Sequence, residues 1–226
     1  MAQTLNTRHW ISKGRKLVGR KIGLTSKVVQ QQLGVNEPDY GMLFADMCLG
    51  DGEEALLNGV MQPRVEAEVA LVLERDLAAE QLTLVDVIRA VAFAAPAIEI
   101  VGSRIANWDI KLIDTIADNA SSGGFVLGGP VRSIMGLDLV HCQMTMRKAE
   151  IEVSKGTGAA CLGNPLNAAL WLARKMVEVG SPLKAGDVVM TGALGPMVPA
   201  QPGAAFVAEI SGLGSVRAIF AAPSVR

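Results

Sequence analysis

Gln62-Pro63-Arg64-Val65-Glu66-Ala67-Glu68-Val69-Ala70-Leu71-Val72-Leu73 sets two carboxylates two positions apart inside an apolar run. Successive side chains of a strand point to opposite faces. A strand here puts Val65, Ala67 and Val69 on one side and Glu66 and Glu68 together on the other. Two like charges side by side in a buried strand repel each other and lose hydration unless a cation lies between them. A hard divalent ion such as Mg²⁺ or Mn²⁺ takes oxygen ligands and answers both costs. The spacing alone equally admits a half-exposed strand with both glutamates in solvent; the rest of the chain favours the metal.

Downstream, Ala97 to Val101 reads as a second strand with Glu99 isolated between Ile98 and Ile100. Glu99 is the natural third ligand; its plainer reading is a salt bridge to Arg104 or Lys21. Between the two strands, Thr83 to Phe93 has the spacing of an amphipathic helix, with Thr83 as cap and Asp86 in the capping-box position. Upstream, Ser26 to Leu33 has helical spacing and stops at Gly34, and Asn36 to Gly41 is turn chemistry that reads as a loop. Phe125 to Gly129 is a short strand ending in a glycine turn. Asn164-Pro165 opens a helix with Leu166, Leu170, Ala173 and Val177 on one face, closed by Gly180. Asp187 to Met190 is a buried strand, and the last 25 residues form two strands around Gly212 and Gly214. Strands outnumber helices without alternating regularly with them, so the fold class is α+β. With no repeat, low-complexity segment or linker, residues 1–226 read as a single domain.

Composition narrows the function classes. Half of the 226 residues are apolar, enough for a large core. No apolar run reaches the ~18 residues of a membrane span, and the N-terminus has no apolar signal region. Cys48, Cys142 and Cys161 lack metal-type spacing, and their odd number fits reduced cytoplasmic thiols. The formal charge is −1 and aromatics make up 4%, which gives nucleic-acid binding little support despite a basic cluster at Lys13, Arg15, Lys16, Arg20 and Lys21. A cytoplasmic protein with a small-molecule partner follows.

Other groups bear two readings each. Lys21 sits among apolar and small residues; beside a metal it would stabilise an enolate or move a proton, and otherwise it belongs to the basic cluster. Asp39 is a turn former by default and a base only if its loop closes over the metal. Asp114 and Asp118 are capping or supporting residues rather than ligands. Ser121 to Gly124 and Thr191-Gly192 offer hydroxyls and backbone N–H groups of the kind that bind carboxylates. His9 and His141 have no recognisable ligand partner and read as structural.

Taken together, VGRKIGLTSKVVQQQLGVNEPDYGMLFADM, QPRVEAEVALVLERDL, PAIEIVGSRIANWDIKLIDTIADNASSG, CLGNPLNAALWLARKM and GDVVMTGALGPM resemble the fumarylacetoacetate hydrolase superfamily. Within it they resemble the 2-keto-4-pentenoate (2-hydroxypenta-2,4-dienoate) hydratases. The resemblance implies a mixed β-sandwich roll with peripheral helices. It implies Mg²⁺ or Mn²⁺ on Glu66, Glu68 and Glu99, catalytic roles for Lys21 and Asp39, and a substrate pocket that includes Leu43, Ser121 and Thr191. It implies hydration of 2-hydroxy-2,4-dienoates, the products of meta-cleavage of aromatic rings, to 4-hydroxy-2-oxoacids. It further implies a homo-oligomer, with a related decarboxylase or a downstream aldolase as candidate partners. Family members carry about 35–40 further residues ahead of the position of Met1, and Asn164 stands where the family often has His. The rival readings are a 4-oxalocrotonate-type decarboxylase on the same metal platform, a carbon–carbon bond hydrolase, and a non-catalytic partner subunit.

Overall fold

The run around Glu66 is a strand along its whole length, and its main partner is the alanine-rich segment that follows it. The computed structural model describes residues 2–32, 35–57 and 59–222. Its strands are β1 (Leu17–Gly23), β2 (Asp39–Phe44), β3 (Cys48–Gly50), β4 (Glu54–Ala55), β5 (Arg64–Leu73), β6 (Val91–Val101) and β7 (Ser122–Leu127). They continue with β8 (Gln143–Lys148), β9 (Ile151–Thr157), β10 (Val188–Ala193), β11 (Val198–Pro199), β12 (Ala205–Ile210) and β13 (Gly214–Phe220). The helices are α1 (Ala2–Ser12), α2 (Lys27–Gln32), α3 (Leu84–Ala90), α4 (Leu112–Ala117) and α5 (Pro165–Glu178).

One mixed sheet runs β2-β1-β10-β5-β6-β7-β3, with β11 also paired on β5; the second runs β4-β13-β12-β8-β9. The β12–β13 hairpin packs across β6, and Phe206 meets Phe220 edge to face at 6.0 Å in the core. α5 lies against β10 and β1, with α3 beside it. This is the α+β, two-sheet architecture expected. Among the described residues no helix is long and apolar enough to cross a membrane.

Several local readings hold. The Asn164 side chain accepts from the Leu166 N–H at 2.9 Å, Pro165 begins α5, and Gly180 beyond its end has φ +71°. The capping box is formed, with the Thr83 N–H donating to Asp86 at 2.7 Å. Two expectations are corrected. The helix begun at Thr83 stops at Ala90, because Val91 and Phe93 pair with Leu73 and Val72 as part of β6. Val91 and Phe93 are β-formers, and a long partner strand outweighs helical spacing. The supposed loop around Asp39 is strand from that residue on, since Asp39, Tyr40 and Gly41 pair with Gly23, Ile22 and Lys21. The helix read over 26–33 is seen as α2, and its expected end at Leu33 and Gly34 lies outside the described residues. Strands β8 and β9 are additional to the expected elements, although β8 alternates, with Met144 and Met146 buried between Gln143, Thr145 and Arg147.

Candidate active site

Strand register assembles the carboxylates. Glu66 of β5 stands directly opposite Glu99 of β6, and Glu68 follows two residues along on the same face as Glu66. Their carboxylate oxygens lie within 4.8 Å of one another, the one cluster of three metal-ligating side chains found among the described residues. Glu68 and Glu99 are completely buried, while Glu66 keeps a partly exposed edge. Glu68 Oε2 accepts from the Gly192 N–H at 2.8 Å, but Glu68 Oε1 and both Glu99 oxygens have no hydrogen-bond partner. Buried carboxylate oxygens are rarely left bare. Three of them converging from an all-oxygen donor set fit a hard divalent cation.

The electrostatics carry the same message. Burial pushes the Glu68 carboxyl well above the ordinary carboxylate range, and Glu99 and Glu66 add to the rise. Burial likewise pushes Glu99 up to about 7, with Lys21 opposing and Glu66 reinforcing the shift. Glu66 is raised for the same first reason. Among the described residues the one cation in contact is Lys21, whose Nζ lies 3.3 Å from Glu99 Oε2 in a charge contact rather than a directed hydrogen bond. Nζ donates instead to the Ala120 carbonyl at 3.0 Å. Lys21 is therefore not a surface member of the basic cluster. Burial alone disfavours its ammonium, but Glu99, Asp39, Glu66 and Glu68 outweigh that and hold its pKa above the usual lysine value. This reverses the depression that burial by itself would give.

Asp39 opens β2 opposite Gly23 and is buried. Its Oδ2 accepts from the Thr115 hydroxyl of α4 at 2.8 Å, and its Oδ1 is unpartnered. Gly23 and Gly41 leave the space these side chains use. A Cβ at 23 would collide with Asp39 Oδ1, and one at 41 with the Asn119 carbonyl.

Residues 119–121 close this side of the site in an unusual backbone. Asn119, Ala120 and Ser121 all have positive φ, at 57°, 52° and 56°. Such conformations cost free energy in non-glycine residues and persist only where the surroundings fix them. Asn119 does the fixing. Its amide donates to the Met42 carbonyl at 2.9 Å and accepts from the Met42 N–H at 2.7 Å, like a one-residue strand on the free edge of β2. The turn aims the Ala120 carbonyl at Lys21 and leaves the buried Ser121 and Ser122 hydroxyls unpartnered.

Of the remaining expected site residues, Thr191 is fully buried and donates its hydroxyl to the Val69 carbonyl at 2.8 Å. It sits in an irregular stretch of β10, between Met190↔Ala70 and Ala193↔Glu68, that also turns the Gly192 N–H onto Glu68. Leu43 is completely buried in the core. Arg104, a possible partner of Glu99, pairs with Asp118 at 2.6 Å instead, and Asp114 caps α4. His141 pairs with Asp138 at the surface, and His9 lies exposed on α1. Thr115 and Asn119 are not signalled by the sequence: both are uncharged members of IDTIADNAS, in which Asp114 and Asp118 carry the charge.

A cavity of about 790 Å³ opens beside Glu66. At this level β5 exchanges one neighbour for another: β10 pairs as far as Glu68, the Leu194 N–H still donates to the Ala67 carbonyl at 2.9 Å, β11 takes over at Val65, and residues 195–197 run between them along the cavity. Strand β9 closes the far wall, with the Ser154 hydroxyl donating to the Pro196 carbonyl at 2.7 Å.

The family model for the fumarylacetoacetate (FAA) hydrolase C-terminal domain matches residues 16–221. A 2-keto-4-pentenoate hydratase of Dechloromonas aromatica (strain RCB) is 59% identical over 219 residues, 97% of this chain and 84% of the relative. The TodF product hydratase of Pseudomonas putida strain F1 is 60% identical over 219 residues, 97% and 82% of the two chains. Among solved structures, 4-oxalocrotonate decarboxylase from Pseudomonas putida G7, complexed with magnesium and adipate, superposes with a TM-score of 0.92 at 37% identity, covering 96% of this chain and 83% of that one. The matched span and the identity to relatives place this chain in the fumarylacetoacetate hydrolase family.

Proposed function

We propose that this chain is a divalent-metal-dependent hydro-lyase that adds water to 2-hydroxypenta-2,4-dienoate to give 4-hydroxy-2-oxopentanoate. The observation that carries the reading is the trio Glu66, Glu68 and Glu99, with bare buried oxygens on Glu68 and Glu99, facing Lys21 and Asp39 beside a cavity of about 790 Å³. The trio would hold Mg²⁺ or Mn²⁺, which would supply Lewis acidity for an enolate-forming reaction.

The chain's own residues account for the rest. Ketonisation moves the enol proton to C5 and leaves C4 electrophilic; water then adds at C4 and a proton is delivered to C3. Lys21, kept protonated by its carboxylate neighbours, is suited to stabilise negative charge on the C2 oxygen rather than to act as a base. Asp39 has one oxygen held by Thr115 and the other free, so it is the group to orient the water and accept its proton. Ser121, with its unpartnered hydroxyl, and Thr191 belong to the substrate side of the centre, and Leu43 supports it from the core. We further assign a cytoplasmic setting, a homo-oligomeric assembly, and a partnership with a related decarboxylase or downstream aldolase, testable by sizing and co-purification.

Loss of the dienoate's ultraviolet absorbance after metal stripping, and again after Mg²⁺ or Mn²⁺ is restored, tests the reading. Metal-dependent loss with 4-hydroxy-2-oxopentanoate as product supports it. The likeness to the decarboxylase favours a second reading, CO₂ loss from a dicarboxylic dienoate, and release of CO₂ when a dicarboxylic dienoate replaces the substrate in this assay identifies that outcome.

A further inference from the structure

The cavity beside Glu66 is much larger than the substrate just assigned. 2-Hydroxypenta-2,4-dienoate has only eight non-hydrogen atoms, whereas about 790 Å³ lies high in the ~300–1,000 Å³ range of pockets for drug-sized ligands. The polar groups are unevenly placed. Glu66 is the one carboxylate of the described lining, Thr25, Ser26 and Thr157 add hydroxyls, and Ile22, Leu24, Leu194, Pro196 and Met197 make much of the wall apolar. The single cation of the described lining is Lys155; it is 77% exposed and lies 3.5 Å from Glu152 of its own strand. A solvated lysine already facing a carboxylate gives little hold on a second anionic end.

We infer that this cavity is a subsite for an apolar substituent at C5, so that the chain prefers 5-alkyl 2-hydroxy-2,4-dienoates to the unsubstituted acid and disfavours dicarboxylic ones. The inference rests on the proposed hydration. Glu68 and Glu99 are fully buried and Glu66 alone of the trio keeps an exposed edge, so a ligand held there by its carboxylate and C2 oxygen extends its C5 end into the cavity that Glu66 lines, along Leu194–Met197. The change of partner on β5 from β10 to β11 lies at this same level. Each methylene buried there should raise kcat/KM by about two- to fourfold.

The test compares kcat/KM for dienoates carrying hydrogen, methyl, propyl or carboxymethyl at C5. In parallel, binding of 2-oxopentanoate, 2-oxoheptanoate and 2-oxopimelate to the Mg²⁺-loaded protein is measured by calorimetry. The expected result is a rise from hydrogen to propyl and a fall of at least about tenfold for carboxymethyl relative to propyl, with 2-oxoheptanoate the tightest ligand. Met197→Lys should lower the propyl-to-carboxymethyl ratio. A flat series, or preference for the dicarboxylates in both assays, overturns the subsite. Absent turnover of every dienoate with 2-oxoheptanoate still bound tightest overturns the hydration reading and leaves the apolar subsite standing.

Discussion

The two halves of the candidate centre are built by opposite means. The glutamate half comes from regular structure: alternation along β5 puts Glu66 and Glu68 on one face, and antiparallel register puts Glu99 across from Glu66. The Lys21–Asp39 half depends on irregular structure: three consecutive left-handed residues, an asparagine imitating a strand, and a threonine from a short helix. In the first half the cost is electrostatic, since like charges are buried together. In the second it is conformational, since the backbone is held where it would not go alone. A regular ladder places the glutamates cheaply but leaves them uncompensated; Lys21 of β1 brings the opposing charge, and the irregular turn fixes its ammonium through the Ala120 carbonyl.

The sharpest way to break the comparison is to empty the first half. Glu66→Ala combined with Glu68→Ala should abolish metal-dependent hydration, by a factor of about 10³ or more, and leave the melting temperature unchanged or raised because buried repulsion is relieved. Turnover at the parent rate would remove the trio from the mechanism. Lys21→Met acts at the boundary between the halves. It should lower kcat by about 10²–10³-fold while calorimetry still finds a divalent site.

Asn119→Asp probes the second half alone. It keeps the acceptor for the Met42 N–H but loses the donor to the Met42 carbonyl, at a cost of about 1–3 kcal/mol. Near 2–4 °C per kcal/mol for a chain of this size, thermal denaturation should fall by several degrees. Because the turn also positions the Ala120 carbonyl on Lys21, kcat should fall about tenfold with KM held. An unchanged kcat would reduce Asn119 to a purely structural role.

The smallest effect is a pH slope. Glu99 is raised from 4.5 to about 7 in the folded protein, so the native state binds more protons than the unfolded chain between those values. Its contribution to stability is fully present below about 4.5 and is lost as pH rises through about 7. Glu66 and Glu68 are shifted in the same direction. The metal-free protein should therefore melt lower at pH 8 than at pH 5. Glu99→Gln should flatten that slope, and saturating Mg²⁺ should oppose it. A slope identical in parent and variant would show that Glu99 is not the group titrating.

The extent to which the centre could be read in advance follows the same division. Glu66, Glu68 and Glu99 were legible because period-2 alternation in an apolar run is a local property, and a carboxylate there stands out. The caps at Thr83 and Asn164 were legible for the same reason. Asp39 was misread as loop because turn-forming residues outvoted a strand that exists only by pairing with β1. Thr115 and Asn119 carry no charge and no period, and their importance lies wholly in partners 76 and 77 residues away.

The sequence by itself determined the fold class, the alternation that puts Glu66 and Glu68 on one face, the isolation of Glu99 in an apolar run and the family resemblance, because alternation, capping and motif spacing act over a few residues. Only the tertiary structure decided that Lys21 is an ammonium held among carboxylates, that Asp39 keeps one free oxygen, and that the cavity opens where β10 gives way to β11. These are properties of groups brought together across long loops, where the field at an atom and the space beside it are set by strands that the local sequence does not name.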